Sequence, residues 1–291
     1  MNWLRWRGIS YAISLILILS GGTAMLLGGL QPALEFSGGS ELTITSPADN
    51  SAFESAIRQA DETQEAIIIE DLSFDNSNAF LQLNEISSET KAAFLQAVMN
   101  NLQQPVTEVS FHSVGPAVSR DLITKTAYAI VLGVLCILLY LWWQFKNWRY
   151  GLAGVLGMIH DSLILLGAFA WFGLWFDVKV DLLFVTALLT TLSTSIHDTI
   201  VIFDRIRDLQ KQTRRGDQLD WLANTAITQT LPRSLNNSLT IIFMLVVLLL
   251  LGGDTLRWFT AALLIGVMTG TYSSTFLAAP LYFDLQKRIK R

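Results

Sequence analysis

The chain has 291 residues, 52% of them hydrophobic and 15% charged, with a formal net charge of −4. That balance fits an integral membrane protein with a modest soluble portion and argues against a nucleic-acid partner. Acidic residues crowd between Glu35 and Asp121, while basic ones gather near the ends of apolar runs, where they read as topology signals. The single cysteine, Cys136, lies inside an apolar run, so no intrachain disulfide can form, and it reads as a small core hydrophobe.

Residues 1–8 carry Arg5 and Arg7, and an apolar run from Ile9 to Leu30 follows. A secretory signal has a shorter core, about 7–15 residues, so this run predicts an uncleaved first transmembrane helix. Residues 31–119 lose the long apolar runs. Ser40–Thr45 alternates like a strand, and Ser51–Ala60 spaces Phe53, Ala56, Ile57 and Ala60 for a helix. Glu65–Glu70 holds the β-branched run Ile67–Ile69, and Ala79–Asn84 alternates less cleanly through Phe80 or Leu81. Ser87–Leu102 is helical, with Ala93, Phe94, Ala97 and Val98 on one side, and Val106–Val114 alternates again. Asp75-Asn76-Ser77-Asn78 supplies a turn in the middle. Strand, helix, strand, strand, helix, strand predicts a small α+β domain of the ferredoxin-like, split β-α-β kind. His112 stands alone on its strand and reads as an exposed or edge histidine; no metal or cofactor site is visible.

Apolar runs return at about 122–144, 151–174, 181–203, 230–251 and 257–281, each near the ~20 residues that a bilayer needs. With the first, they make six spans. The expected organisation is an N-terminus and first span over 1–30, the small domain over 31–119, and a five-helix bundle over 120–291 with a loop at 204–229 and a basic C-terminus. Lys146 and Arg149 separate the second and third spans; Arg205, Arg207, Lys211, Arg214, Arg215 and Arg233 lie between the fourth and fifth or just inside the fifth. Lys287, Arg288, Lys290 and Arg291 end the sequence, whereas the connectors near Asp177–Lys179 and Gly252–Arg257 are nearly free of positive charge. The positive-inside rule then places both termini in the cytoplasm and the acidic domain outside.

Three polar sites sit at membrane depth. Asp198 follows Thr194, Ser195 and His197 in the fourth span, and a carboxylate there costs about 2.5–3.5 kcal/mol on the gentlest scales. A chain keeps such a group where a partner or a wet cavity shields it, which points to an ion or proton path. His160-Asp161 lies about 15 Å into the third span at ~1.5 Å per residue, with Gly154 and Gly157 on the same side to admit a neighbouring helix. The third site is Arg233 with Asn236, Asn237, Ser238 and Thr240. Arg233 reads equally well as an interfacial anchor, and Asp161 as a structural carboxylate bonded between helices. Burial disfavours a charged carboxylate and a guanidinium favours it. An Asp198–Arg233 pair that meets and parts can therefore load and release a proton. Hydroxyls such as Thr194, Ser195 and Thr199 can hold connecting waters. His197 can titrate near neutral pH or serve as a packing donor. Gly266, Gly270 and Ser274, four apart with Tyr272 and Ser273 beside them, form a helix-packing face.

Several stretches resemble the SecF proteins. Val114-Gly115-Pro116-Ala117-Val118-Ser119 is similar to their VGPxVS signature, and His160-Asp161 to their HD. Ser195-Ile196-His197-Asp198-Thr199, running on to Phe203-Asp204-Arg205-Ile206-Arg207, resembles SINDT…FDRIR; Gln229-Thr230-Leu231-Pro232-Arg233-Ser234 resembles QTLSRT; and Gly270-Thr271-Tyr272-Ser273-Ser274 with Ala278-Ala279-Pro280 resembles GTYSS…AP. The resemblance implies a six-helix bundle of the RND type. It also implies a subunit of the SecD–SecF complex, which uses the proton-motive force to help the Sec translocon (SecYEG) export unfolded preproteins from the inner membrane. Implied partners are a homologous SecD-like subunit, the translocon, the preprotein, protons and membrane lipid. The residues that it implicates in proton movement are Asp198 and Arg233. Departures are Glu35 for the usual aspartate before Phe36-Ser37-Gly38-Gly39, Ser193-Thr194 for Gly-Tyr, His197 for asparagine, and Asp208 for glutamate.

Two other functions compete. One is half of an RND-like exporter for small molecules or lipids, although such exporters carry much larger outer domains than the ~90 residues here. The other is an enzyme, with Asp161 and Asp198 as an intramembrane aspartyl protease dyad; no Gly-x-Gly-Asp surrounds either residue, so the chain is read as a non-enzyme.

Overall fold

The computed structural model describes residues 3–63, 67–75, 78–212 and 219–289. The chain divides into two compact units, one of residues 32–126 and the other of residues 1–31 with 127–291. Among the described residues, six helices are long and apolar enough to cross a membrane.

The first helix, α1 (Arg7–Leu26), stops before the predicted Leu30. Gly28 takes φ 82, a left-handed cap that closes the last turn.

The small unit runs β1 (Gly39–Thr45), α2 (Asn50–Thr63), β2 (Ile69–Asp75), β3 (Asn78–Leu83), α3 (Ser88–Leu102), β4 (Thr107–Val114), preceded by a single helical turn at Leu34–Ser37. Its sheet is antiparallel in the order β2-β3-β1-β4, with Leu42 opposite both Leu81 and Phe111. Alternation turns Leu42, Ile44, Leu81 and Leu83 to one face, where they pack with Phe53 and Ile57 of α2 and Phe94 of α3, all fully buried. Each such side chain stabilises the fold by roughly 1.5–3 kcal/mol. Leu81 points inward and Phe80 is half-buried on the opposite face, which resolves the uneven alternation of β3. The Ser87 hydroxyl caps α3 by accepting from the Thr90 N–H at 3.2 Å. Strand β2 starts at Ile69, later than the β-branched run suggests; Ile67 is buried but lies ahead of the strand. Glu65 and Ala66 of the stretch Glu65–Glu70, and Asn76 and Ser77 of the expected turn, lie outside the described residues. His112 is exposed on the edge strand β4, as expected.

The larger unit continues through α4 (Pro116–Phe145, entered from the small unit), α5 (Trp148–Phe176), α6 (Leu182–Gln212), α7 (Leu219–Leu251) and α8 (Asp254–Ser273). A π-helical turn, Ser274–Ala278, leads into α9 (Ala279–Ile289). Much of the expected loop at 204–229 is helix instead. Ile206 and Leu209 continue the buried stripe of α6, and Leu222, Ala223, Ala226 and Ile227 begin that of α7. Arg214 and Arg215, like Lys290 and Arg291, lie outside the described residues. Pro280, just past the π turn, has no N–H to donate to the turn before it. Pro232 likewise removes one bond from inside α7.

Lipid tails are as apolar as leucine, so close packing and polar contacts join the helices. A Cβ on Gly21 of α1 would lie 2.6 Å from the Cα of Gly167 in α5, so only glycine fits that crossing. Gly266 of α8 meets Thr191 of α6 as closely, in line with its expected packing role. Near the ends of α5, α6 and α9, Tyr150 stacks on Tyr282 at 4.0 Å between ring centroids, and Phe203 packs on both. Arg7 pairs with Asp284 at 2.7 Å, tying α1 to α9. Helix α4 is the exception. None of its apolar stretch is buried, and Cys136 is exposed on it rather than in a core. Among the described residues, Leu141 and Phe145 near its end join the buried core, Ile130, Val134 and Ile137 pack against core residues while staying partly exposed, and much of the remaining helix is exposed.

Candidate functional site: two buried aspartates

Four helices converge on Asp161, which is 3% exposed. From α5 itself, His160 approaches Oδ1 with Nδ1 at 2.9 Å. From α6, the Ser195 hydroxyl donates to Oδ2 at 2.5 Å; from α8, the Ser273 hydroxyl donates to the same oxygen at 2.7 Å. His160 reaches α1 through Nε2, 2.9 Å from the Ser14 hydroxyl. Ser14 in turn lies 3.3 Å from the Tyr272 hydroxyl, which donates to the Ser10 carbonyl at 2.8 Å. The acid therefore has a partner on each oxygen, and the chain of polar atoms runs unbroken from α6 and α8 to α1.

Asp198, one helical turn beyond Ser195 on the same side of α6, is built differently. It is 7% exposed and, among the described residues, takes one side-chain hydrogen bond, from the Ser234 hydroxyl of α7 at 2.8 Å. Beside it lies a crevice with room for about one water, lined by Thr194, Ser195, Asn237, Ser238, Gly270 and Thr271 among others. Ser238 and Thr271 close one side through hydroxyls 2.6 Å apart. Thr194 donates to the Thr191 carbonyl, Thr199 to the Ser195 carbonyl, and Ser195 to Asp161. All three hydroxyls therefore offer acceptors, not donors, to anything else nearby.

The helical repeat explains both placements. Ser195 and Asp198, three apart, share a face of α6, and Gly270 of α8 lies against Ser195 where a larger residue would push the helices apart. Arg233 is not brought to Asp198. It is exposed on α7, and Ser234, its neighbour, holds the acid instead. His197 is also exposed, pointing away from the core that its neighbours on either side join. Ser14, Ser234, Tyr272 and Ser273 were not among the expected site residues. Ser10 and Ser14, four apart and both buried in an otherwise apolar helix, were the readable signal on α1. Among the described residues, no three His, Cys, Asp or Glu side chains converge as metal ligands.

Comparison with known proteins places the chain in a family. A family model described as "Protein export membrane protein SecD/SecF, C-terminal" matches residues 94–288. "Protein translocase subunit SecF" from Thermobaculum terrenum is 37% identical, with 98% of this chain and 94% of that protein aligned. The protein of the same name from Anaerolinea thermophila is 34% identical over 96% and 92%. The crystal structure of SecDF from Thermus thermophilus, described as a translocon-associated membrane protein, superposes with a TM-score of 0.81 at 28% identity. It covers 99% of this chain, while this chain spans 39% of that one. A match over residues 94–288, and relatives above 30% identity along almost the whole length, establish that this multi-pass membrane chain belongs to the SecD/SecF family of protein-export membrane proteins.

Proposed function

We propose that the chain is the SecF-like half of a SecD–SecF complex that uses the proton-motive force to assist export of unfolded preproteins through the Sec translocon. The observation that carries this reading is Asp198, an acid inside a candidate span with one hydroxyl partner and a polar crevice large enough for about one water. An ion path needs a buried charge that water can reach. The relatives carry translocase names rather than enzyme names.

In this reading Asp198 loads and releases the proton. Thr194 and Ser195 hold the connecting water, and His160 and Asp161 stand behind Ser195. His197 lies on the outer side of the helix and tunes the local charge. Arg233 supplies the counter-charge in a second state. Adjacent helical residues differ by about 100°, so a turn of α7 at the bond freed by Pro232 exchanges Ser234 for Arg233 beside the acid. The small unit is a ferredoxin-like domain outside the cytoplasm, where it meets the emerging preprotein. Both termini lie in the cytoplasm, and the membrane is the plasma (inner) membrane. A homologous SecD-like subunit covers exposed apolar helices such as α4, since transporter halves of this type work in pairs.

The test is Asp198→Asn in cells lacking the native protein. The variant is expected to accumulate and to co-purify with its SecD-like partner, while proton-dependent export falls. Wild-type export would overturn the relay. Unchanged export that is also insensitive to collapse of the proton gradient would overturn the use of the gradient altogether.

A further inference from the structure

Thr275 lies in the π turn and is 1% exposed, and its hydroxyl has no partner among the described residues. A threonine inside a helix can give its hydroxyl proton to the carbonyl four residues back, as Thr199, Thr230, Thr240 and Thr271 do here. For Thr275 that acceptor would be the Thr271 carbonyl, which takes the Ser274 hydroxyl at 3.1 Å instead. The Thr275 carbonyl also loses its helical donors. The Ala279 N–H, four residues on, goes to the Ser274 carbonyl, and the residue five on is Pro280, which has no N–H. One buried residue thus holds an unmet hydroxyl and an unmet carbonyl. Both are costly in a dry site, and ordered water is the usual partner of such groups.

The packing puts these groups at the level of Asp198. Ser238 of α7 and Thr271 of α8 meet at 2.6 Å. The two helices are consecutive and run in opposite directions, so one turn back along α7 and one turn on from Thr271 bring Ser234 level with Thr275. Ser234 is the residue that donates to Asp198. Helix α6 gives the same answer. Gly266 and Gly270 lie against Thr191 and Ser195, a parallel register that sets Thr275 level with Ile200, about 3 Å past Asp198 along the axis. The crevice residues Thr194, Ser195, Ser238 and Thr271 lie on the other side of that level. We propose that Thr275 anchors a buried water between the π turn and Ser234, and that this water is the second wet contact of the Asp198 site, opposite the crevice. The water accepts from the Thr275 hydroxyl and donates to the Thr275 carbonyl. Its other proton goes to the Ser234 oxygen, which accepts while giving its own proton to Asp198. The acid then stands between two waters, one on each side. The proposed topology turns the Thr275 side toward the cytoplasm, which makes this water the inner end of the proton path. That role rests on the export reading; the water itself does not.

Water-edited solid-state NMR of the full chain in bilayers reads the site without reference to export. Magnetisation from water is expected to reach the Thr275 side chain as fast as that of Thr194, which lines the crevice. Thr260 is the dry control. It is fully buried and its hydroxyl also lacks a partner among the described residues, but it sits on α8 between Phe259 and Ala262 of an apolar cluster, with too few polar neighbours to hold a water. Transfer to Thr275 as slow as to Thr260 would overturn the water. Thr275→Val keeps the shape and removes the hydroxyl. In that variant, transfer to Ser234 is expected to fall about twofold or more while transfer to Thr194 holds. An unchanged Ser234 would overturn Thr275 as the anchor. Proton-dependent export by the same variant is expected to fall as well. Parental export with a dried Ser234 would remove the water from the proton path and leave the Asp198 relay standing. Parental export by Asp198→Asn would sink the relay and leave the water.

Discussion

Asp161 and Asp198 are two acids in adjacent helices at membrane depth, and their surroundings are opposites. Asp161 has partners on both oxygens from three helices, and a fourth helix is tied in through His160. Asp198 has one hydroxyl and a crevice. A fully partnered polar cluster rigidifies its surroundings, because each member is costly to leave alone. A sparsely partnered acid beside a water-sized space can change its state without dismantling the fold. The difference teaches that burial by itself does not identify the working group; the number of donors already committed to it does.

The comparison breaks most sharply at Asp161→Ala. That change strands His160 Nδ1 and the Ser195 hydroxyl, leaving Ser273 with the Gly270 carbonyl at 3.2 Å, and removing one member of a buried pair costs about 3–5 kcal/mol. A large fall in melting temperature of the purified protein is expected. A variant as stable as the parent would mean that the cluster is wet. Ser234→Ala should cost less, about 0.5–1.5 kcal/mol for a single hydrogen bond, read in the same melt. Asp198→Asn keeps an acceptor for Ser234 and should stay within about 0.5 kcal/mol of the parent, even though it is the variant expected to lose proton-dependent export. If Asp198→Asn melts as early as Asp161→Ala, the two sites are not different in kind.

Asp49 gives the comparison a reference in water. It is a fully exposed carboxylate at the start of α2, and the hydroxyl and then the N–H of Ser51 hold its pKa below the usual aspartate range. A depressed folded pKa favours the fold above the unfolded pKa, and that contribution is lost as pH falls through the folded value. Ser51→Ala should therefore raise the Asp49 midpoint in a carboxyl ¹³C titration. The two proteins should differ most in stability above about pH 4, and the difference should close as pH falls below that through the folded midpoint. This is the smallest of the expected effects, and an unmoved midpoint would remove Ser51 as its cause.

The candidate spans were legible in the sequence because length and hydropathy are local properties. So was the alternation of the small unit, and the helix face that carries Phe94 into its core. The start of β2 was not, because Ile67 is buried by tertiary packing just outside the strand. The extent of α6 and α7 was missed because charged residues between Arg205 and Gln229 hid a buried stripe through Ile206, Leu209 and Leu222. Cys136 was misplaced because an apolar run looks the same whether it is covered by protein or left bare, as α4 is.

The sequence by itself determined where the two acids sit along their helices, and that Ser195 shares a face with Asp198, since a 3.6-residue repeat leaves no choice. Only the tertiary structure decided which hydroxyls meet which acid. Ser14, Ser273 and Ser234 come from three separate helices, and small residues such as Gly21, Gly266 and Gly270 set how closely those helices approach. The same packing turned Ser234 inward and left Arg233 outside, a matter of helix rotation that no local pattern encodes.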